Sequence, residues 1–155
     1  VMVDAYTKYV LLHHTRHLDT TNALSAVRHL ISLFGTPTRI IADQGRCFAS
    51  REFKQFCTQN QIDLHLIATG AARANSQVER VMAVLTNMLT VTEFGEKTWQ
   101  EAIPDIQLTI NCTINRVTRA SPLEMLVGKV AKPPSLITPD NDIVETNSQV
   151  DLEAI

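Results

Sequence analysis

The sequence predicts an α/β fold, and three observations carry that reading. A short apolar, β-branched run at Arg39–Ala42 is flanked by helical patterns, a second such run follows at Ile62–Ile67, and the order along the chain is strand, helix, strand, helix, strand. With 155 residues, 45% of them hydrophobic and 19% charged, the chain has the composition of one globular unit with its own core. Its apolar stretches are short and interrupted by charge, so no membrane span is expected, and no signal peptide opens the chain.

Val1–Val3 and Tyr9–His13 are β-rich and are joined by the polar stretch Asp4–Lys8, the pattern of an antiparallel hairpin. Asp19-Thr20-Thr21-Asn22 supplies capping residues for a helix whose inward positions are Ala23, Val27, Leu30, Ile31 and Phe34, stopped by Gly35 and Pro37. Arg39–Ala42 reads as a buried parallel strand with Asp43 at its carboxyl end, where sites gather in open α/β sheets. Ser50 caps a second helix that turns Phe53, Phe56 and Cys57 inward, ahead of the Ile62–Ile67 strand.

Residues Ala68–Asn75 are small and polar and read as a loop. The loop delivers the chain to a helix with the apolar stripe Val78, Val81, Met82, Leu85, Met88 and Leu89, and Glu79 stands beside that stripe near the expected helix start. Trp99–Ile114 is a further amphipathic stretch in which Pro104 predicts a kink or break near Ile103. Ser121-Pro122-Leu123-Glu124 opens a short helix that Gly128 can end, and the residues from about Lys132 read as linker or tail. The expected division is therefore 1–131 as the domain and 132–155 as the tail.

Three widely spaced cysteines, Cys47, Cys57 and Cys112, give no disulfide framework and no Cys-x-x-Cys zinc site. His13, His14 and His17 form a local cluster, but the segment reads as strand into loop and has no cysteine partners, so zinc is disfavoured. The sequon Asn111-Cys112-Thr113 reads as chance. Trp99, Phe53 and Phe56 are assigned to the core rather than to base stacking. A net charge of −2 and a pI near 6.2 leave any grip on a polyanion to local patches.

The chemistry-bearing feature is a pair of acids. Asp43 ends a strand and Glu79 lies on a helix, with thirty-five residues between them. Carboxylates so placed can share divalent metals, and two-metal sites polarise phosphodiesters. Either acid alone reads more simply as a turn residue or a helix-dipole partner.

Asp43-Gln44-Gly45-Arg46-Cys47-Phe48 resembles the Asp-x-Gly-x-x-Phe motif of retroviral and retrotransposon integrase catalytic cores. Ala74-Asn75-Ser76-Gln77-Val78-Glu79-Arg80 is similar to their Asn-Gly-Gln-x-Glu-Arg motif, at the family's spacing. Ser121-Pro122-Leu123-Glu124 with Gly128 resembles a block of gypsy-type elements, and the opening Val1–Tyr9 resembles their Asp-containing hairpin. The four blocks stand in family order over roughly residues 1 to 130.

This resemblance implies an RNase H-like three-layer fold with a mixed sheet flanked by helices, and a catalytic Asp, Asp, Glu triad. It implies that Asp43 and Glu79 are the second and third acids, holding two Mg²⁺ or Mn²⁺ ions in the complete site. The hairpin that holds Asp4 resembles the family's second strand, so the first strand and first acid are expected upstream of Val1, with Asp4 a turn residue. The implied reaction is DNA integration by end processing and strand transfer, the implied partners are retroelement DNA ends, target DNA and further copies of the chain, and the implied place is the nucleus. Asn75, Arg73 and Arg80 are the expected DNA contacts, weakened where Ser76 replaces the motif glycine and where Met82, Ala83 and Thr86 replace polar positions.

Two other readings compete. A catalytically inactive or domesticated integrase-derived module would keep the fold for DNA or protein binding. A phosphatase using Asp4 as nucleophile fares badly, because Tyr6 stands where that chemistry wants a second aspartate.

Overall fold

The computed structural model describes residues 1–68, 72–91 and 98–128, with the side chains of 72–75 and of residue 91 left aside. The expected hairpin forms between β1 (Met2–Val3) and β2 (Val10–Leu11), paired antiparallel with Val3 opposite Val10. Asp4 closes it as a turn residue: its Oδ2 accepts hydrogen bonds from the Thr7 amide at 2.7 Å, the Thr7 hydroxyl at 2.7 Å and the Tyr6 amide at 3.2 Å. The strand predicted to reach His13 stops at Leu11, because beyond it side chains of a later helix take over the backbone partners (below).

Helix α1 (Thr20–Phe34) begins at Asp19, whose Oδ1 accepts from the Asn22 amide at 2.7 Å, and ends at Gly35 with φ 83°. Strand β3 (Arg39–Asp43) pairs in parallel with β4 (Asp63–Ile67), Asp43 lying opposite Ile67. Between them stand a single helical turn that periodicity did not predict, α2 (Arg46–Ala49), and α3 (Arg51–Gln59), capped by Ser50 as expected. Antiparallel and parallel pairings are thus both present among the described residues, as two separate two-stranded sheets.

One core joins Ala23, Leu24 and Val27 of α1 to Cys47, Phe53, Cys57 and Ile62, with Ile40 and Leu64 of the parallel sheet packed against it. Phe53 is completely buried, which contributes about 1.5–3 kcal/mol of transfer free energy. The opposite face of β3 is less covered, since Ile41 is 47% exposed. A cross-strand ion pair between Arg39 and Asp63 (2.6 Å) stands in solvent and adds little.

Helix α4 (Ala72–Val91) starts four residues earlier than the loop reading allowed. Ala72, Arg73 and Ala74 are strong helix formers, so composition that looks like loop is also compatible with a first turn. Val81, Leu85, Met88 and Leu89 pack with Val10, Leu12, Ala102 and Ile106 into a second core. Met82, assigned to the same stripe, is 44% exposed and lies off its edge.

Helix α5 (Trp99–Cys112) runs unbroken through Pro104, contrary to the predicted break. Pro104 sits in the second turn, where the carbonyl deprived of its bond belongs to exposed Gln100 and can turn to water. Trp99 is 43% exposed rather than core, because it opens the helix and sets its ring edge-to-face on His14. Helix α6 (Pro122–Val127) opens at Ser121 as expected, adds a Ser121/Glu124 capping box, and ends at Gly128 in the left-handed region. The proposed tail, 132–155, lies outside the described residues, and among the described residues no helix is long and apolar enough to cross a membrane.

Nothing in local periodicity announces the strongest tertiary tie. Asn111 on α5 is fully buried; its Oδ1 accepts from the Val10 amide at 2.8 Å and its Nδ2 donates to the Val10 carbonyl at 2.8 Å. One helical turn away, Gln107 Oε1 accepts from the Leu12 amide at 2.7 Å. The sequon asparagine is therefore a structural residue sealed from any modifying enzyme.

Candidate active site

Asp43 stands half-buried at the carboxyl end of β3, where the chain leaves the sheet for α2. Its Oδ1 accepts a hydrogen bond from the Gly45 amide at 2.9 Å, which ties the carboxylate across the turn. A Cβ on Gly45 would lie 2.8 Å from that same oxygen, so glycine here lets the carboxylate sit close to the turn, and no unusual φ is involved. The Asp-x-Gly spacing already carried this information, as aspartate commonly accepts from the amide two residues on.

Glu79 is exposed on α4, and α4 packs against β3, so the two acids belong to neighbouring elements of one layer contact. The predicted reason for a structural glutamate is gone. With the helix starting at Ala72, Glu79 is two turns inside it, beyond the reach of the amino-terminal dipole.

Asp4 does not join them. No group of three or more His, Cys, Asp or Glu side chains suited to a metal occurs among the described residues. Partial burial pushes the Asp4 carboxyl up, but hydrogen bonds from Thr7 and Tyr6 and the nearby Lys8 ammonium outweigh it and hold it below the ordinary carboxylate range.

Of the expected DNA contacts, Arg80 folds back along its own helix, its Nε donating to the Ser76 carbonyl at 3.2 Å and its Nη2 to the Ser76 hydroxyl at 3.4 Å. Arg73 and Asn75 belong to the opening turns of α4, and their side chains lie outside the described residues. One concavity along α3 is lined by Arg51, Lys54, Gln55 and Thr58, another between α3 and β4 by Lys54, Thr58, Asp63 and Leu66, and neither includes Asp43 or Glu79.

Asp43 and Glu79 offer oxygen donors only, and the Gly45 amide holds one of the two carboxylates in place. Such donors fit a hard divalent cation and not a thiophilic one. Alone they would supply two ligands.

Residues 1–72 match the family model described as Integrase core domain. The Pro-Pol polyprotein of feline foamy virus is 28% identical over 129 residues, covering 83% of this chain and 11% of its own length. The Transposon Tf2-3 polyprotein of Schizosaccharomyces pombe is 25% identical over 129 residues, covering 81% of this chain and 10% of its own. The chain thus spans about a tenth of the curated relatives it matches. Among solved structures, the integrase catalytic core domain of HTLV-2 in complex with magnesium superposes with a TM-score of 0.68 at 24% identity, covering 79% of this chain and 80% of that one. Its likeness establishes the RNase H-like fold. With the core-domain match over residues 1–72 and retroviral and transposon polyproteins as relatives, this chain is similar to integrase core domains.

Proposed function

We propose that the chain is the catalytic-core segment of a retroelement integrase, with Asp43 and Glu79 as two of the acids of a divalent-metal site acting on DNA phosphodiesters. The observation that carries the reading is the packing of α4 on β3, which sets a strand-end aspartate and a mid-helix glutamate on adjoining elements. The magnesium in the HTLV-2 core structure supports a hard cation here too.

When bound, Mg²⁺ or Mn²⁺ supplies Lewis-acid polarisation at phosphorus and lowers the pKa of a nucleophilic water or 3′-hydroxyl. The chain's own part is to hold two carboxylates where that charge is needed. The Gly45 amide keeps the Asp43 carboxylate from rotating, and the rigid α4 helix carries Glu79. Arg73, Asn75 and Arg80, all on α4, are the proposed contacts to the DNA backbone, with element ends and chromosomal target as substrates and the nucleus as the place of action. Residues 1–131 form the proposed core and 132–155 the linker.

A second reading, a non-catalytic module that keeps the fold for binding, is favoured by one observation: no third acid joins Asp43 and Glu79 among the described residues. A working three-acid site needs a carboxylate from outside them.

The test is Mn²⁺ titration of the chain followed by paramagnetic broadening in NMR. Broadening is expected around Asp43 and Glu79 and should disappear in Asp43→Asn and in Glu79→Gln. Broadening centred elsewhere, or unchanged in both variants, removes the metal assignment.

A further inference from the structure

Beside the sequence cluster His13, His14 and His17, disfavoured above as a zinc site, the fold creates a histidine pair across two elements. His13, just beyond β2, meets His29 on α1 with ring centroids 5.9 Å apart and planes inclined by 38°. The sequence gives no hint of this, because the two lie on separate elements with the α1 entry loop between them. His14 is committed in the other direction, edge-to-face on Trp99 of α5.

The separation is informative. A zinc-like ion bound through one nitrogen of each imidazole lies roughly 3 Å from each ring centroid, so a single ion reaches two rings only when the centroids are about 5 to 6.4 Å apart. The pair falls inside that window. The inclination keeps the rings from stacking face to face, and no hydrogen bond among the described residues engages either ring. His29 is exposed and His13 half-buried, so water can complete the coordination.

We infer that His13 and His29 form a two-imidazole site for a borderline divalent transition ion of the Zn²⁺ or Ni²⁺ class, pinning the end of β2 to α1. Imidazole donors select such ions over Mg²⁺, which favours oxygen. The site is thus chemically distinct from the carboxylate pair and does not depend on the function proposed for it. No third histidine, cysteine or carboxylate completes it among the described residues, so it is an open, exchangeable site. A bound ion would act as a removable cross-link between the hairpin and the first helix.

The experiment is calorimetric titration of the 155-residue chain with Ni²⁺ and with Zn²⁺ near pH 7.5, in the presence of excess Mg²⁺, where unperturbed imidazoles are neutral and free to ligate. One ion should bind per chain, and His13→Gln and His29→Gln should each weaken binding by roughly tenfold or more. His14→Gln should leave the affinity unchanged. The ion should also raise the melting temperature of the unaltered chain but not of His29→Gln, whose exposed position makes loss of fold improbable and checkable by circular dichroism. Unchanged affinity in His29→Gln, competition by Mg²⁺, or equal loss in His14→Gln would each overturn the site.

Discussion

The Gly45 amide donates to Asp43 Oδ1 at 2.9 Å, and the space where a side chain would begin on Gly45 is already occupied by that oxygen, 2.8 Å away. The glycine and the acid are coupled: a side chain on the first would push the carboxylate of the second aside. Gly45→Ala should therefore displace the carboxylate while leaving the cores intact. Mn²⁺ affinity is expected to fall about tenfold with little change in the denaturation midpoint. An unchanged affinity would separate the turn from the metal site.

Asn111→Ala removes the side-chain partners of both the Val10 amide and the Val10 carbonyl. The expected loss is about 2–4 kcal/mol, from an unsatisfied amide and carbonyl together with a small cavity. Urea denaturation measures it, and Asn111→Asp should do little better, since a carboxylate has no N–H for the Val10 carbonyl. A loss under about 0.5 kcal/mol would show that water replaces the side chain.

Asp4 gives the hairpin an acid sensitivity of known sign. Its carboxyl is held below the ordinary value in the folded chain, so its stabilisation is fully present above that ordinary value and is lost as pH falls through the lower, folded one. Unfolding measured between about pH 2 and 5 should show a steeper decline for the unaltered chain than for Asp4→Ala. Parallel curves would mean that the turn bonds contribute nothing.

With Asp4 bound into its turn and no third acid beside Asp43 and Glu79 among the described residues, the 155-residue chain by itself should not join DNA strands in Mg²⁺ or Mn²⁺. A strand-transfer assay with labelled duplex reads this directly. Robust joining that Asp4→Asn abolishes without unfolding the protein would promote Asp4 to a metal ligand.

Much of the local structure could be read from the chain because its signals are local. Asp19, Ser50 and Ser121 each accept from an amide three residues on, and Gly35 and Gly128 adopt the backbone that ends a helix. The acids of the candidate site were legible for the same reason, one at a strand end and one in a helical pattern. What escaped depends on distance. Asn111 reads only as part of a chance sequon until β2, a hundred residues earlier, is laid against it. Trp99 and Met82 have the right period for the core, but one opens its helix against His14 and the other lies off the stripe that Val81 and Leu85 bury. Residues 72–75 look like loop because small residues serve turns and helices equally well.

The carboxamides of Gln107 and Asn111 have one more effect. By taking the outward-facing amides of Leu12 and Val10, they stop the hairpin's far side from offering a bare ladder to a passing strand. Growth of that sheet by intermolecular addition is blocked at β2 by two side chains of a single helix. Loss of Asn111 should accordingly reveal itself as aggregation during refolding as much as in the melting curve.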